Sequence, residues 1–171
     1  MGITRTAWTD DDGTGTTGTI INNAVKTELY DQIDAVIQGV WTAFTPTVGG
    51  STSQSGQVHN IQVGRYVLTQ KKVEFYCRVS LSTLGTITGS VQIKGLPIAA
   101  SASSNRYVAV YVGYFSNLTT NYVWLTGFIA PSDTSITLQG LTAAATGVAA
   151  LAQANLSATS DLIVAGFYET D

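Results

Sequence analysis

The feature that most constrains the fold is a change in the spacing of apolar residues near Trp41. Between Val73 and Leu81, apolar residues alternate with polar ones, which is the period of a strand with one buried face. Across residues 19–40, apolar residues instead recur every three or four positions, which is the period of a helix. The chain is therefore predicted to consist of a helical segment followed by a β domain over residues 41–171.

The helical segment is predicted to run from an N-cap at Thr19 to a stop at Gly39. Its apolar stripe consists of Ile21, Val25, Leu29, Ile33, Val36 and Val40. These side chains must be buried, either against the β domain of the same chain or against copies of the helix around a symmetry axis. We favour the symmetry axis, where the polar Gln32 at one core position is able to set register and helix number.

Residues 1–18 are predicted to form an extended arm. The run from Asp10 to Gly18 consists of Asp, Gly and Thr and has no apolar period, so it has no face to bury. Ile3 and Trp8 give this polar stretch two apolar anchors, and aromatic side chains are typical anchors of interfaces. We therefore expect Ile3 and Trp8 to dock on another protein.

The β domain is predicted to be an antiparallel, jelly-roll-like sandwich of short strands. The predicted strands are 41–48, 58–69, 71–82, 89–94, 106–116, 121–130, 134–141 and 161–169, separated by clusters of Gly, Ser, Asn and Pro. The Ala-rich segment 141–160 is compatible with a short helix, a loop or strands of small residues, and the pattern does not decide among them.

Three of the predicted strands, 106–116, 121–130 and 161–169, carry apolar residues on both faces. A strand of a free sandwich has a more polar outer face. The pattern therefore predicts that neighbouring subunits cover the outer face of the sheet, and burial under the chain's own helix is the alternative.

Composition argues against two classes of partner. The net charge is −3 and the eight basic residues are scattered, so no basic stripe is present to follow a nucleic-acid backbone. No apolar run reaches the roughly 18 residues of a membrane span, and the N-terminus lacks the apolar core of an export signal. The sequence predicts a soluble protein made in the cytoplasm, binding neither nucleic acid nor membrane.

Residues for catalysis or cofactor binding are few. His59 is the only histidine and is expected to be a surface residue without a role, because no nucleophile motif accompanies it. Of the carboxylates in the β domain, Glu74 is predicted to face outwards and Asp133 and Asp161 to lie in turns, which does not favour a glycosidase pair.

Metal binding is not predicted either. The stretch from Asp10 imitates a calcium loop but has Ile21 where the bidentate Glu belongs. Cys77, the single cysteine, is expected to be a buried small hydrophobe. The sequence therefore predicts no metal, no cofactor and no enzymatic activity.

Two stretches resemble virion surface proteins of tailed bacteriophages. The first runs from Asp11 to Ala24 (DDGTGTTGTIINNA) and from Leu29 to Asp34 (LYDQID), and the second comprises Trp41 to Thr47 (WTAFTPT), Gly64-Arg65-Tyr66, Val73 and Ile93 to Pro97 (IKGLP). The second is similar to a β module of tail-fibre tips and of head-decoration or head-fibre proteins. The resemblance implies a homotrimer with a jelly-roll-like sandwich on each subunit. It also implies that Trp41, Phe44 and Tyr66 pack the first sheet and that Gly95-Leu96-Pro97 forms a turn.

The resemblance implies a non-catalytic structural protein of the virion surface, bound to the major capsid protein or to a tail component. We expect a trimeric capsid decoration (cement) or head-fibre protein, because the chain begins at its own Met1 and has no long shaft. Residues 1–40 would then anchor it to the particle, with Ile3 and Trp8 inserted. The alternative is a short tail fibre or receptor-binding module that recognises a host surface glycan. Its sugar-stacking aromatic residues would be Tyr107, Tyr111, Tyr114, Tyr122 and Trp124.

Overall fold

The computed structural model describes residues 39–171, of which Trp41–Asp171 form one compact unit. The predicted arm with Ile3 and Trp8, and the predicted helix stripe from Ile21 to Val36, lie outside the described residues. Val40, the last residue of that stripe, lies within them and exposes its side chain.

The described residues form twelve β-strands and one short 3₁₀ helix. The strands are β1 (Thr42–Phe44), β2 (Thr47–Gly50), β3 (Ser53–Ser55), β4 (Val58–Thr69), β5 (Lys72–Thr83), β6 (Thr86–Thr88), β7 (Val91–Lys94), β8 (Val108–Leu118), β9 (Tyr122–Ile129), β10 (Ser135–Thr142), β11 (Ala149–Ala150) and β12 (Leu156–Glu169). The 3₁₀ helix, η1 (Gln153–Asn155), comes directly before β12.

Most of the strands belong to one antiparallel sheet that curls on itself. Its order is β1-β4-β5-β12-β8-β9-β10-β7-β2, with β11 paired to β10, while β3 and β6 form a separate two-stranded sheet. The two edge strands, β1 and β2, are consecutive in the chain and are joined only by Thr45 and Pro46. Because so short a connection cannot span the width of a flat sheet, the two edges of the sheet lie close together.

Two side chains of β4 hold the two edges of the curled sheet together. His59 Nε2 accepts a hydrogen bond from the Val48 N–H of β2 at 3.0 Å. Gln62 Nε2 donates to the Pro46 carbonyl at 3.0 Å. These bonds satisfy polar backbone groups at the edge, where the ladder of the sheet ends.

One apolar core fills the inside of the curl. Its largest contributions come from Val73, Phe75, Cys77, Val79 and Leu81 on β5, Leu162, Val164 and Tyr168 on β12, Ile136 and Leu138 on β10, and Val91 and Ile93 on β7. Complete burial of each large aliphatic or aromatic side chain contributes about 1.5–3 kcal/mol. The predicted burial of Cys77 is confirmed, and burial raises the pKa of its thiol to about 12.

The predicted antiparallel β fold is confirmed. The jelly-roll-like sandwich stays a prediction, since the strands from β1 to β2 belong to one continuous sheet rather than to two separate sheets. Of the residues that the resemblance placed in the first sheet, Phe44 and Tyr66 pack against the core. Their two rings meet edge to face, with centroids 6.4 Å apart. Trp41 differs, because it is exposed and contacts the ring of Tyr76 at 5.4 Å.

The predicted strand 41–48 is two strands, β1 and β2, interrupted at Thr45 and Pro46. Proline has no N–H to donate to a ladder, so the chain leaves one edge of the sheet there and joins the other. The predicted turn after β7 is present, and Gly95 has a φ of +95°, a conformation that glycine adopts at no steric cost.

The segment 141–160, which the sequence pattern left undecided, contains all the predicted types of structure in short pieces. It holds the end of β10, an exposed turn, β11, η1 and the first residues of β12. β12 therefore begins at Leu156, five residues before the predicted start at Asp161. Alanine is tolerated in each of these conformations, which is why composition alone does not distinguish them.

Candidate binding surface

The only histidine has a structural role, which corrects the expectation of a surface residue without one. His59 is partly buried and uses Nε2 to accept the Val48 N–H. Burial lowers the pKa of His59, which favours the neutral ring that this acceptor role requires. Its nitrogen is therefore engaged in joining β4 to β2.

The three carboxylates considered for catalysis lie in different places and have partners of their own. Glu74 faces outwards, as predicted, and pairs with Lys72 at 2.7 Å. Asp133 lies in a turn, as predicted, and accepts hydrogen bonds from Thr134 N–H at 2.7 Å and Ser135 N–H at 3.0 Å.

Asp161 lies on β12 rather than in a turn. It accepts two hydrogen bonds from Arg78, from Nε at 3.2 Å and from Nη2 at 2.7 Å. The hydrogen bond and the charge of Asp161 raise the pKa of Arg78. Such a forked pair fixes both side chains on the sheet surface.

Within residues 39–171, no group of three His, Cys, Asp or Glu side chains is arranged to hold a metal ion. In the same part of the chain, no helix is long and apolar enough to cross a membrane. The described surface also carries several exposed aromatic side chains.

An exposed aromatic face covers the outer side of β5, β12 and β8, together with the residue that precedes β8. The aromatic face is defined here as Tyr76, Tyr107, Tyr111, Tyr114, Ile163 and Phe167, all of which are exposed large side chains. If a complete aromatic side chain offers about 200 Å², their exposed fractions amount to roughly 600 Å². This area is at the upper limit of the largest apolar patch on a typical monomer, and such patches are often functional.

Strand register places the members of the aromatic face in rows. Ala165 on β12 is the partner of both Tyr76 on β5 and Tyr111 on β8. The two tyrosines are therefore two strand spacings, about 10 Å, apart across the sheet. Because the residue between them is an alanine, they flank a shallow trough. In the next row Ile163 separates Arg78 from Tyr114.

Charged residues lie beside members of the aromatic face, and Arg65 on β4 is the cross-strand partner of Tyr76. The Arg78–Asp161 pair is at one end of the trough. At the other end Lys72 lies over the ring of Phe167, 4.9 Å from its centroid, and pairs with Glu74. Lys72 and Arg78 are each paired with a neighbouring carboxylate, and Arg65 adds an exposed positive charge beside Tyr76.

The structure separates the five aromatic residues predicted to stack on sugars. Tyr107, Tyr111 and Tyr114 belong to the aromatic face, and Tyr111 is 71% exposed. Trp124 is exposed on β9, and Tyr122 is partly buried against the core. Burial also raises the pKa of Tyr122.

The sequence prediction omitted Tyr76 and Phe167 from the binding residues. Strand alternation assigns Tyr76 to the outer face together with Glu74 and Arg78. Beside two charged residues, its hydroxyl group suggests an ordinary polar surface residue. Its neighbours across the strands, which only the register of β5 and β12 reveals, make it part of an aromatic face.

Comparisons with protein-family profiles and with curated proteins gave no match to this chain. The fold has a counterpart among solved structures. The crystal structure of the Dettilon tailspike protein (gp208) matches 77% of this chain with a TM-score of 0.57 and 17% sequence identity. The match spans 24% of that protein's length, so the shared fold corresponds to about a quarter of the tailspike.

Proposed function

We propose that this chain is a non-catalytic receptor-binding module of a phage tail, of the tailspike or tail-fibre type, and that its aromatic face recognises a host surface glycan. The observation that carries the proposal is the aromatic face on a fold shared with a tailspike protein. The tailspike likeness supports the tail alternative over the capsid decoration or head fibre that the sequence favoured.

The chemistry of the aromatic face suits a saccharide. One face of a pyranose ring carries C–H groups that pack on aromatic rings, and its hydroxyl groups form hydrogen bonds with tyrosine hydroxyls. The trough between Tyr76 and Tyr111, with Ala165 as its floor, offers two such rings at a spacing of about 10 Å. A saccharide would be held there by contact and hydrogen bonding, and the exposed guanidinium of Arg65 beside Tyr76 offers a further hydrogen-bond donor.

The homotrimer, the location on the virion surface and the absence of catalysis remain parts of this proposal. The predicted attachment to the particle through Ile3 and Trp8 stays a prediction, because both residues lie outside the described part of the chain. Capsid decoration would require the protein to bind assembled heads, whereas a tail module is required to bind cells.

Binding of the fluorescently labelled chain to bacterial cells tests the proposal. We expect the chain to bind the phage's host and not an isogenic host mutant lacking its surface polysaccharide. Replacing both Tyr111 and Tyr114 with Ala should abolish this binding, whereas Val148→Ala, on an exposed loop away from the face, should leave it unchanged. Equal binding to the mutant cells, or full binding by the double variant, would contradict the proposal.

A further inference from the structure

Arg65 on β4 is a cation without a carboxylate partner among residues 39–171. Its side chain is exposed, and within this part of the chain its guanidinium forms no hydrogen bond, ion pair or ring contact. By contrast, three cations that border the aromatic face are each paired with a carboxylate: Lys72 with Glu74, Arg78 with Asp161, and Arg106 with Glu169. The guanidinium of Arg65 is therefore available to a ligand.

Strand register places Arg65 in the same row as the trough of the aromatic face. Arg65 is the partner of Tyr76, Tyr76 is the partner of Ala165, and Ala165 is the partner of Tyr111. The side chains of such cross-strand partners lie on the same face of the sheet. The guanidinium, the first ring, the floor of the trough and the second ring thus follow one another over about 14 Å, or three strand spacings.

The neighbours of Arg65 on the outer face are uncharged. Its partner on the other side is Ala43 of β1, and the adjacent positions of β4 on this face are Val63 and Val67. The carboxylate of β5, Glu74, lies opposite Val67 and is bound to Lys72 at 2.7 Å. Arg65 therefore leaves a net positive charge beside the first ring, although the whole chain carries −3.

The ring next to Arg65 is supported by a second aromatic ring. Trp41 contacts Tyr76 with ring centroids 5.4 Å apart and planes inclined by 53°. This contact restricts the rotamers of Tyr76 before a ligand arrives, so less side-chain freedom is lost on binding. A supported ring beside a free guanidinium is a combination that suits a sugar ring with an acidic substituent.

We propose that the glycan recognised by the aromatic face is acidic, and that Arg65 binds its carboxylate or phosphate group while the sugar ring that carries this group stacks on Tyr76. A planar guanidinium donates two parallel N–H bonds to either group. Such charge-assisted bonds are stronger than those between neutral partners. This inference rests on the proposed glycan recognition and specifies the chemical class of the glycan.

Three substitutions of exposed cations test the role of Arg65 in the full chain. Arg65→Gln removes the charge and keeps a polar side chain, and Arg65→Lys keeps the charge but loses the forked geometry. Lys71→Gln is the matched control, because it removes the same charge from the turn between β4 and β5, about 20 Å along the strand. All three variants should unfold at the wild-type temperature, since neither side chain has a partner to lose.

Titration calorimetry with the host's purified surface polysaccharide provides the readout. The probe is used in its native form, after reduction of its carboxyl groups to alcohols, and after removal of its phosphate groups. We expect wild type to bind one of the two treated forms at least tenfold more weakly than the native form, which identifies the acidic group. Arg65→Gln should bind the native form about tenfold more weakly than wild type and with less dependence on sodium chloride concentration. Arg65→Lys should lie between the two, and Lys71→Gln should match wild type.

Two results would overturn the inference and leave the proposed glycan recognition intact. One is equal binding of wild type to all three forms of the polysaccharide, and the other is wild-type affinity in Arg65→Gln. The first does not depend on any variant, so it stands even where a substitution disturbs the fold. Undetectable binding of wild type to the native polysaccharide would instead contradict the glycan recognition itself, and the inference with it.

Discussion

At the residue scale, Tyr168 shows how one polar atom is accommodated inside the core. Its ring is 1% exposed and lies against Phe75 at 6.0 Å. Its hydroxyl donates to the Ile98 carbonyl at 2.7 Å, which attaches the end of β12 to the loop that follows β7. Burial raises the pKa of Tyr168 to about 12, so the group stays neutral and remains a donor.

Tyr168→Phe is predicted to destabilise the fold by about 1–2 kcal/mol, because the Ile98 carbonyl loses its donor in a partly buried place. The folded pKa lies above the ordinary value of 10.0. The contribution of Tyr168 is therefore complete below pH 10 and is lost as pH rises towards 12. Between pH 7 and pH 11, the free energy of unfolding measured with urea should fall less in the variant than in wild type. An identical loss in both proteins would contradict this account.

Residues whose role follows from strand alternation were predictable from the sequence. Cys77 and Glu74 are examples, because alternation alone assigns one inwards and the other outwards. His59 and Asp161 were placed wrongly, because their partners Val48 and Arg78 come from other strands. The identity of a long-range partner is not contained in a local pattern.

At the element scale, the positions of the long strands were easier to predict than the places where a strand is interrupted or bulged. The predicted strand 58–69 coincides with β4, where the apolar and polar pattern is long. Gly113 on β8 and Val123 on β9 are the extra residues of two β-bulges. Neither residue gives a local signal of a bulge, since a bulge is a property of the pairing between two strands. The short strands β3 and β6 were not predicted, and their serine and threonine residues carry no apolar period.

Asn155 of η1 is hydrogen-bonded to the turn between β8 and β9: its carbonyl accepts the Thr119 N–H at 3.1 Å, and its Nδ2 donates to Thr120 Oγ1 at 2.9 Å. Asn155→Ala removes the bond to Thr120 and the bond in which Asn155 Oδ1 accepts the Ala152 N–H at 2.7 Å. Losing them should make local opening easier by about 1–2 kcal/mol. Hydrogen exchange at residues 119–121 should therefore become faster. Asn121→Ala in the same turn is the control, and equal acceleration in both variants would show that η1 does not hold the turn.

At the scale of the whole molecule, the curled sheet has one filled side and one exposed aromatic side. The sequence predicted this two-sided apolar character for 106–116 and 161–169, and Tyr111 and Phe167 confirm that both strands expose large apolar groups. The closure of the sheet was not predictable, because it depends on β1 and β2 joining opposite edges. The proposed glycan recognition belongs to this scale, since the aromatic face exists only when β5, β12 and β8 lie side by side.

Titration calorimetry of the chain with purified surface polysaccharide of the host tests that recognition most directly. We predict saturable binding by wild type and at least tenfold weaker binding by Tyr111→Ala, which corresponds to about 1.4 kcal/mol or more. The control Val148→Ala should retain the wild-type affinity. Undetectable binding by wild type, or an unchanged affinity in Tyr111→Ala, would contradict the assignment of the aromatic face as the glycan-binding surface.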